Sequence, residues 1–568
     1  MLDQPASISR RQGAAGPPLD FQEHLARLDA AGLLVRVERP ISKDTELHPL
    51  VRWQFQGGLA EDARRAFLFT NVVDAEGRRY DMPVAVGALA ASARIYAVGM
   101  GRSVEQIETA WLDAIAHPIA PVRATSAPCQ QVIVTGDALR QPNGGLKLLP
   151  VPISTPGYDA APYLTATLCI TQDPETGIRN MGTYRAALKA TDRLGVRMAA
   201  RIGGAGGYLH WQKYRKLKKP MPVAIVIGCA PVVMFTGPQK LPIDQDEMAV
   251  AGGLAGTPIP IVRAATIDLD VPADAEIVVE GLIDPELLEP EGPFGESHGH
   301  IALEDYNMSM QVTAITHKRK PVYVSVLSEV TPSESSVMKR VAYEPRFLVH
   351  LRDALAIKGV RRVVMHEPLS NLRKIIFVQF ANGVPRSEIW RALHGAAMLQ
   401  ADCGKYVIAV SEDIDPENAD AVFWSLAYRA NPIDDVYIAP HRAAGHGPKS
   451  PSQPSPAGGG GQGGGREEST LLIDATLKDK APPLALPKRE FMERARAIWD
   501  ELGLPALTPQ PPWHGYSLGD WDPRWDVFAE RAVAGRWAES GIETLARRRA
   551  GLKPETPVRE VETPAKKS

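Results

Sequence analysis

The segment EPEGPFGESHGH, residues 289–300, carries two carboxylates, Glu291 and Glu296, on either side of Pro-Phe-Gly. Proline and glycine cannot continue a helix and favour a tight, fixed turn, which can hold both acids near one point. Two carboxylates at one point oppose each other's ionisation, so one tends to keep a proton near neutral pH and can donate it. A surface acidic turn held by its own backbone would use the same residues, but the phenylalanine and two glycines within this one suggest burial. A second segment, NMGTYRAAL at 180–188, puts Asn180, Gly182 and Tyr184 on one side of an extended chain, with Arg185 at its exit. Asparagine offers a hard oxygen or an amide donor, and arginine a fork that matches a carboxylate or phosphate. A lone arginine at a strand end can equally be half of a surface salt bridge.

Two further segments are weaker. RIGGAGGY, 201–208, is a glycine-rich stretch whose backbone can approach an anion closely. It fits neither GxGxxG nor GxxxxGK[ST], and His210 beyond it reads as an ordinary half-buried histidine on its own. In LPIDQDEMAVAGGLAG, 241–256, Glu247 opens a helix of small residues. A carboxylate there complements the helix dipole. It could also be the anionic ligand of a hard divalent cation, with Asn180 as a second oxygen donor.

The elements that must position these groups differ along the chain. Asp20 can cap a helix, with Glu23 completing a capping box and Phe21, Leu25 and Leu28 on one face. An α+β region then runs to about residue 124. From 125 to 335, short β-rich runs such as QQVIVTG, YLTATLCIT, PVAIVIG and PVYVSVL alternate with turn residues, predicting an antiparallel sheet closing toward a barrel. From 336, helix and strand patterns take turns, predicting an α/β domain to about 490, interrupted by a low-complexity Gly/Pro insertion at 440–466. A helix at 491–504 shows an apolar stripe, Phe491, Ala495, Ile498, Trp499 and Leu502, that must pack on its own domain or on a neighbouring subunit. Residues 1–18 and parts of 505–568 have the composition of disordered chain.

Composition excludes several classes. The 568 residues are 44% hydrophobic and 23% charged, the balance of a folded globular protein of several domains. With 64 Lys and Arg against 66 Asp and Glu, the chain is no general polyanion binder, although one local basic pocket remains open. The four cysteines form no CxxC pair, which argues against a disulfide scaffold or a thiolate zinc site and for a reducing compartment. The most apolar run, 223–235, is too short to span a bilayer, and the first residues lack the apolar core of a signal peptide. The expectation is a soluble, cytoplasmic protein.

The four segments, in this order and spacing, resemble the UbiD family of prenylated-FMN-dependent decarboxylases. NMGTYR is similar to the family's NxGxYR element, EGPFGE to its EGP[FY]G[DE] element, and DEMAVAGGLAG to its [ST]EYxxAGxLRG stretch; the resemblance covers roughly 19–504. It implies an α+β multidomain fold: an amino-terminal α+β segment, a central flavin-binding split β-barrel and a carboxy-terminal α/β domain. It implies prenylated FMN supplied by a separate flavin prenyltransferase, with Mn²⁺ (or Mg²⁺) and often K⁺ beside the flavin phosphate, and a homodimer or homohexamer without nucleic acid. By motif, Asn180, Glu247 and, less directly, His210 would hold the metal. Thr183, Tyr184, Arg185, Arg197, Met198, Ala199, Ile202 and Gly203 would line the cofactor. Arg185 would orient the substrate carboxylate and pair with Glu291, Glu296 would deliver a proton to the carbon left by CO2, and Phe294 would be part of an apolar wall. Two departures stand out: the chain has ARIGG where some members carry a histidine, with two extra glycines before His210, and it has the glycine-rich insertion near 458.

The implied reaction is reversible decarboxylation of an aromatic, heteroaromatic or α,β-unsaturated acid, with carboxylation or an aryl thioester substrate as variants. A flavin oxidoreductase using ordinary FMN is a different class, and hydride transfer needs no EGPFGE. A non-catalytic cofactor scaffold would not need Arg185 and both glutamates.

Overall fold

A computed structural model of the chain describes residues 16–199, 205–241, 245–442, 468–478, 487–507, 526–551, 553, 558 and 561. Ile202 and Gly203 lie outside them, as does most of the glycine-rich insertion. The chain forms two compact units, Met1–Glu412 with Val422–Thr476, and Asp413–Ala421 with Leu477–Ser568.

The first unit is mixed α+β and carries every described candidate site residue. Its amino-terminal helix, Phe21–Ala30, starts as expected: the Asp20 carboxylate accepts the Glu23 N–H at 2.8 Å. The other half of the box shifts by one residue, since the Glu23 carboxylate takes the N–H of Leu19 rather than of Asp20. A four-stranded sheet follows the order Leu34–Val37, Ala66–Phe69, Val84–Val86 and Tyr323–Ser325. A five-stranded sheet, with helices Glu334–Val349 and Arg386–Leu399 beside it in sequence, is built on the parallel strands Ile375–Phe380, Tyr406–Ser411 and Glu468–Asp474.

The central sheet positions the site. Its nine strands include a path in the order Arg179–Gly182, Thr167–Gln172, Met221–Ile227, Ile277–Glu291, Asp305–His317, Arg193–Val196, Ala186–Ala190 and Tyr163–Leu164, with Val132–Thr135 pairing Asp305–His317. The apolar run 223–235 divides between the inner strand Met221–Ile227, nearly all of it buried, and the buried helix Pro231–Thr236. The path has two ends and no closed barrel forms among the described residues, yet it must be strongly curled. Gly182 ends one edge strand and Ala186 begins the strand next to the other edge, four residues later. Four residues reach at most ~14 Å, whereas six strand spacings laid flat would span roughly 29 Å. The short link Thr183–Arg185 therefore crosses the seam of a sheet rolled almost onto itself. Its Tyr184 carbonyl is fastened by the Thr167 hydroxyl at 2.6 Å.

The two longest strands, Ile277–Glu291 and Asp305–His317, run antiparallel, with Glu291 opposite Asp305, and the EGPFGE turn lies between them. Inside that turn, Phe294–Gly295 pairs Ile301–Ala302, and Gly299 takes the left-handed backbone conformation (φ +87°) that lets the tip reverse.

Another anchor lies behind the site. Glu334, fully buried at the start of Glu334–Val349, accepts the N–H groups of Gly87 and Leu89 at 2.9 Å and those of Ala90 and Leu327 at 3.4 Å. Burial nevertheless pushes its carboxyl up to about 7. Glu334→Ala would orphan these donors and is expected to cost about 2–4 kcal/mol, read as a thermal midpoint lowered by roughly 2–4 °C in a unit of this size. An unchanged midpoint would show that the backbone there finds other partners.

In the second unit, helices Arg489–Glu501, Asp526–Val533 and Trp537–Ala546 are described. None of the residues of Arg489–Glu501 is fully buried: of the expected apolar stripe, Phe491 and Trp499 are half-buried and Ala495, Ile498 and Leu502 are exposed.

Candidate active site

Arg185 is gripped by both glutamates of the turn. Its Nε donates to Glu291 Oε1 and its Nη2 to Glu291 Oε2, each at 2.9 Å, the parallel fork that arginine and carboxylate geometry favours. Its Nη1 donates to Glu296 Oε1. The guanidinium also lies over the Phe294 ring, 4.5 Å from its centroid. Burial alone would lower the Arg185 guanidinium; Glu296 and then Glu291 outweigh it and hold the group above its ordinary value. Glu291 is 1% exposed and accepts a third donor, Asn307 Nδ2, at 2.9 Å. Arg197 stands behind the pair, 3.9 Å from Glu291 and 3.8 Å from Glu296, and is held by Asp305 at 3.2 Å.

The turn is pinned from a distant segment. Asp159 accepts the Gly295 N–H at 2.9 Å and the Thr155 N–H at 2.7 Å, Ala160 N–H donates to the Pro293 carbonyl, and the Tyr163 hydroxyl donates to the Gly292 carbonyl. The Pro-Phe-Gly backbone between the two acids is thus fixed by residues 155–163.

Asn180 and Glu247 come together at another part of the same cavity. Glu247 Oε2 accepts the Met181 N–H at 3.0 Å, and Arg179 pairs Asp246 at 3.2 Å, so the strand Arg179–Gly182 and the start of Glu247–Ala255 are laced side by side. Burial pushes the Glu247 carboxyl up to about 7. Asn180 Nδ2 donates to the Tyr184 hydroxyl, which leaves Oδ1 as an acceptor. The backbone of the helix Gly206–Leu217 approaches closely: a Cβ on Gly206 would sit 1.8 Å from Asn180 Oδ1, so only glycine fits.

The cavity has a volume of about 660 Å³ and is lined by Asn180, Thr183, Tyr184, Arg185, Arg197, Ala199, Glu247 and Glu296 among the expected residues. Three of the described candidate residues do not line the cavity, although Glu291 pairs with Arg185 as expected. Met198 is buried behind the wall, its sulfur near Gly207, and does not line the cavity. Glu291 is shielded behind Arg185. His210, expected as a metal ligand, is buried with its Nδ1 2.9 Å from the Thr171 hydroxyl; burial pulls it down to about 4, and the charges acting on it are Asp173 and Lys213 rather than Glu247.

Sequence reasoning missed Asn307, Asp305, Asp159 and Lys339. The alternation of DYNMSM would have placed Asp305 and Asn307 on one face of a strand. Asp159 and Lys339 carry no local signal.

With that geometry described, comparison with known proteins is direct. Residues 120–330 match the UbiD family's 3-octaprenyl-4-hydroxybenzoate carboxy-lyase Rift-related domain, and residues 337–475 match its carboxy-terminal domain. A curated relative, the uncharacterized protein sll0936 of Synechocystis, is 26% identical over 456 residues, 74% of this chain and 84% of the relative. The UbiD-class enzyme HmfF from Pelotomaculum thermopropionicum, solved with prFMN, is 27% identical, with 83% of this chain and 97% of HmfF covered and a TM-score of 0.68. The 3,4-dihydroxybenzoic acid decarboxylase of Enterobacter cloacae shares the fold, at 22% identity, 84% and 100% coverage and a TM-score of 0.69.

An α+β chain of this architecture, with matches to both domains along more than half its length, is a carboxy-lyase. It belongs to the UbiD family.

Proposed function

We propose that this enzyme reversibly decarboxylates an aromatic, heteroaromatic or α,β-unsaturated carboxylic acid with prenylated FMN as cofactor, obtained from a flavin prenyltransferase. The observation that carries the reading is Arg185 clamped between Glu291 and Glu296 in one cavity. Similarity to HmfF, solved with prFMN and with FMN, supports the cofactor.

The residues present fit such a group. The cavity lies within the ~300–1,000 Å³ of small-molecule sites. The glycine approach at Gly206 brings the start of a twelve-residue helix to the cavity wall, where the helix dipole favours an anionic phosphate, although its Gly207 N–H already donates to the Tyr184 hydroxyl. Asn180 Oδ1 and the Glu247 carboxylate are the hard oxygens that Mn²⁺ or Mg²⁺ takes, with K⁺ as a further candidate. Thr183, Tyr184, Arg197 and Ala199 would line the cofactor. His210 does not line the cavity, so Asn180 and Glu247 are the ligands proposed.

Bound there, the prenylated flavin would supply the sink for the electrons left when CO2 departs. Everything else falls to side chains. Arg185 has five N–H donors and uses three on the glutamates, leaving two for the substrate carboxylate. Glu291 is covered by Arg185 and Asn307, whereas Glu296 lines the cavity, so Glu296 is the acid placed to hand a proton to the substrate. Phe294 and the apolar Val326 and Met338 line the cavity where a carboxylate would lose its hydration, which favours its conversion to neutral CO2. Glu296 then protonates the carbon, becomes a carboxylate and returns to Arg185. The ion pair in the structure matches that last state, and solvent restores the proton before the next turnover.

The test is co-expression with a flavin prenyltransferase, followed by an absorption spectrum of the purified protein and a CO2-release screen across aromatic and α,β-unsaturated acids. Retained flavin and release that depends on co-expression are expected; retained flavin without release from any acid would overturn the reading. Glu247→Gln in parallel should lose both metal and flavin.

A further inference from the structure

The cavity that holds Arg185 and Glu296 extends to the helix Glu334–Val349, where Lys339 lines it beside Met338, Tyr343 and Arg373. Lys339 is half-buried, and among the described residues it has neither a hydrogen-bond nor an ion-pair partner. The other basic residues of the wall are engaged or exposed. Arg179, Arg185, Arg197 and Arg373 each hold a carboxylate, Arg346 holds the Lys240 carbonyl, and Lys240 is exposed. Burial, aided by Arg373, pulls the Lys339 ammonium down to about 7, against the opposing pull of Glu296 and Asp402. A cation in that position is stabilised by any anion entering the cavity.

Two anions could enter: a flavin phosphate, or an acidic group on the substrate. The groups suited to a phosphate and its metal, Asn180 and Glu247, belong to the strand Arg179–Gly182 and the helix Glu247–Ala255, whereas Lys339 lines the cavity from Glu334–Val349. The carboxylate of the cavity wall that does act on it is Glu296, the residue that would protonate the substrate carbon. We infer that the substrate carries a second acidic group, ionised at neutral pH, in addition to the carboxylate it loses, and that Lys339 binds it. This rests on the decarboxylase reading above and narrows its substrate class to acids with two anionic groups.

The test compares benzoate with benzene-1,3- and benzene-1,4-dicarboxylate by calorimetric titration of the flavin-loaded enzyme, with flavin content measured by absorbance. The wild type is expected to bind one dicarboxylate about ten- to hundredfold more tightly than benzoate. Lys339→Met should erase that preference, Lys339→Arg should restore most of it, and all three proteins should hold equal flavin. The proposal is overturned by a wild type with no preference, by a preference that survives Lys339→Met, or by loss of flavin from Lys339→Met, which would assign the lysine to the phosphate. Lys339-dependent binding without CO2 release from any acid would sink the decarboxylase reading and leave the anion site standing.

Discussion

Arg185→Ala, loaded with flavin, is expected to lose decarboxylation by about three orders of magnitude or more in kcat/KM. Two effects add. The substrate carboxylate loses its fork, and Glu291, 1% exposed, loses both bonds that balance its charge and keeps only Asn307 among its hydrogen-bond donors. Removing one partner of a buried ion pair costs about 3–5 kcal/mol, which alone corresponds to roughly a hundred- to several-thousandfold in rate if it is felt in the transition state. Arg185→Lys separates charge from geometry: it keeps a cation without the planar fork and should remain far below the wild type. The measurement is CO2 release from protein whose absorption spectrum shows it loaded. Decarboxylation that survives Arg185→Ala would dismantle the assigned arrangement.

Glu296→Gln should retain its flavin and lose about 10²–10⁴-fold in kcat, the usual range for a missing general acid. The amide has nearly the same shape, and its oxygen can accept from Arg185 Nη1 as Glu296 does. What it lacks is an acidic proton. Product formed in deuterated solvent offers a second readout, because the residual reaction must draw its hydrogen from water directly. Full turnover by this variant would take Glu296 out of the chemistry.

The central arrangement was legible because its members sit in short motifs: NMGTYR supplied Arg185 and EGPFGE supplied both acids. Their meeting was an expectation of the family resemblance, since nothing local in either motif points to the other. Asn307 could have been read from strand alternation, two residues from Asp305, the cross-strand partner of Glu291. The antiparallel sheet closing toward a barrel was legible in its short strands and turns; its strand order was not, because Arg179–Gly182 and Ala186–Ala190 are neighbours in sequence and sit near opposite ends of that order. That order is set by pairings such as Val226 with Val278, which no local pattern encodes. Lys339 was illegible for a related reason. Its helix has buried positions around much of its circumference, so helical periodicity does not reveal which face meets the cavity. For His210 the resemblance suggested a ligand role, and the fold sets its Nδ1 on the Thr171 hydroxyl and its ring outside the cavity lining.

Arg185 meets its two acids across 106 and 111 residues of chain, and Leu89 meets Glu334 across 245. Contacts so distant form late, because the entropy of closing each loop must be lost before they can exist. During synthesis, a ribosome releases Arg185 and then more than a hundred further residues before the guanidinium has its counter-ions. Until then the nascent chain presents a solvated arginine and the apolar strands of an unfinished sheet, a state that chaperones engage. For the flavin proposed above, loading would therefore have to follow synthesis, since the growing chain would offer no pocket for it to enter.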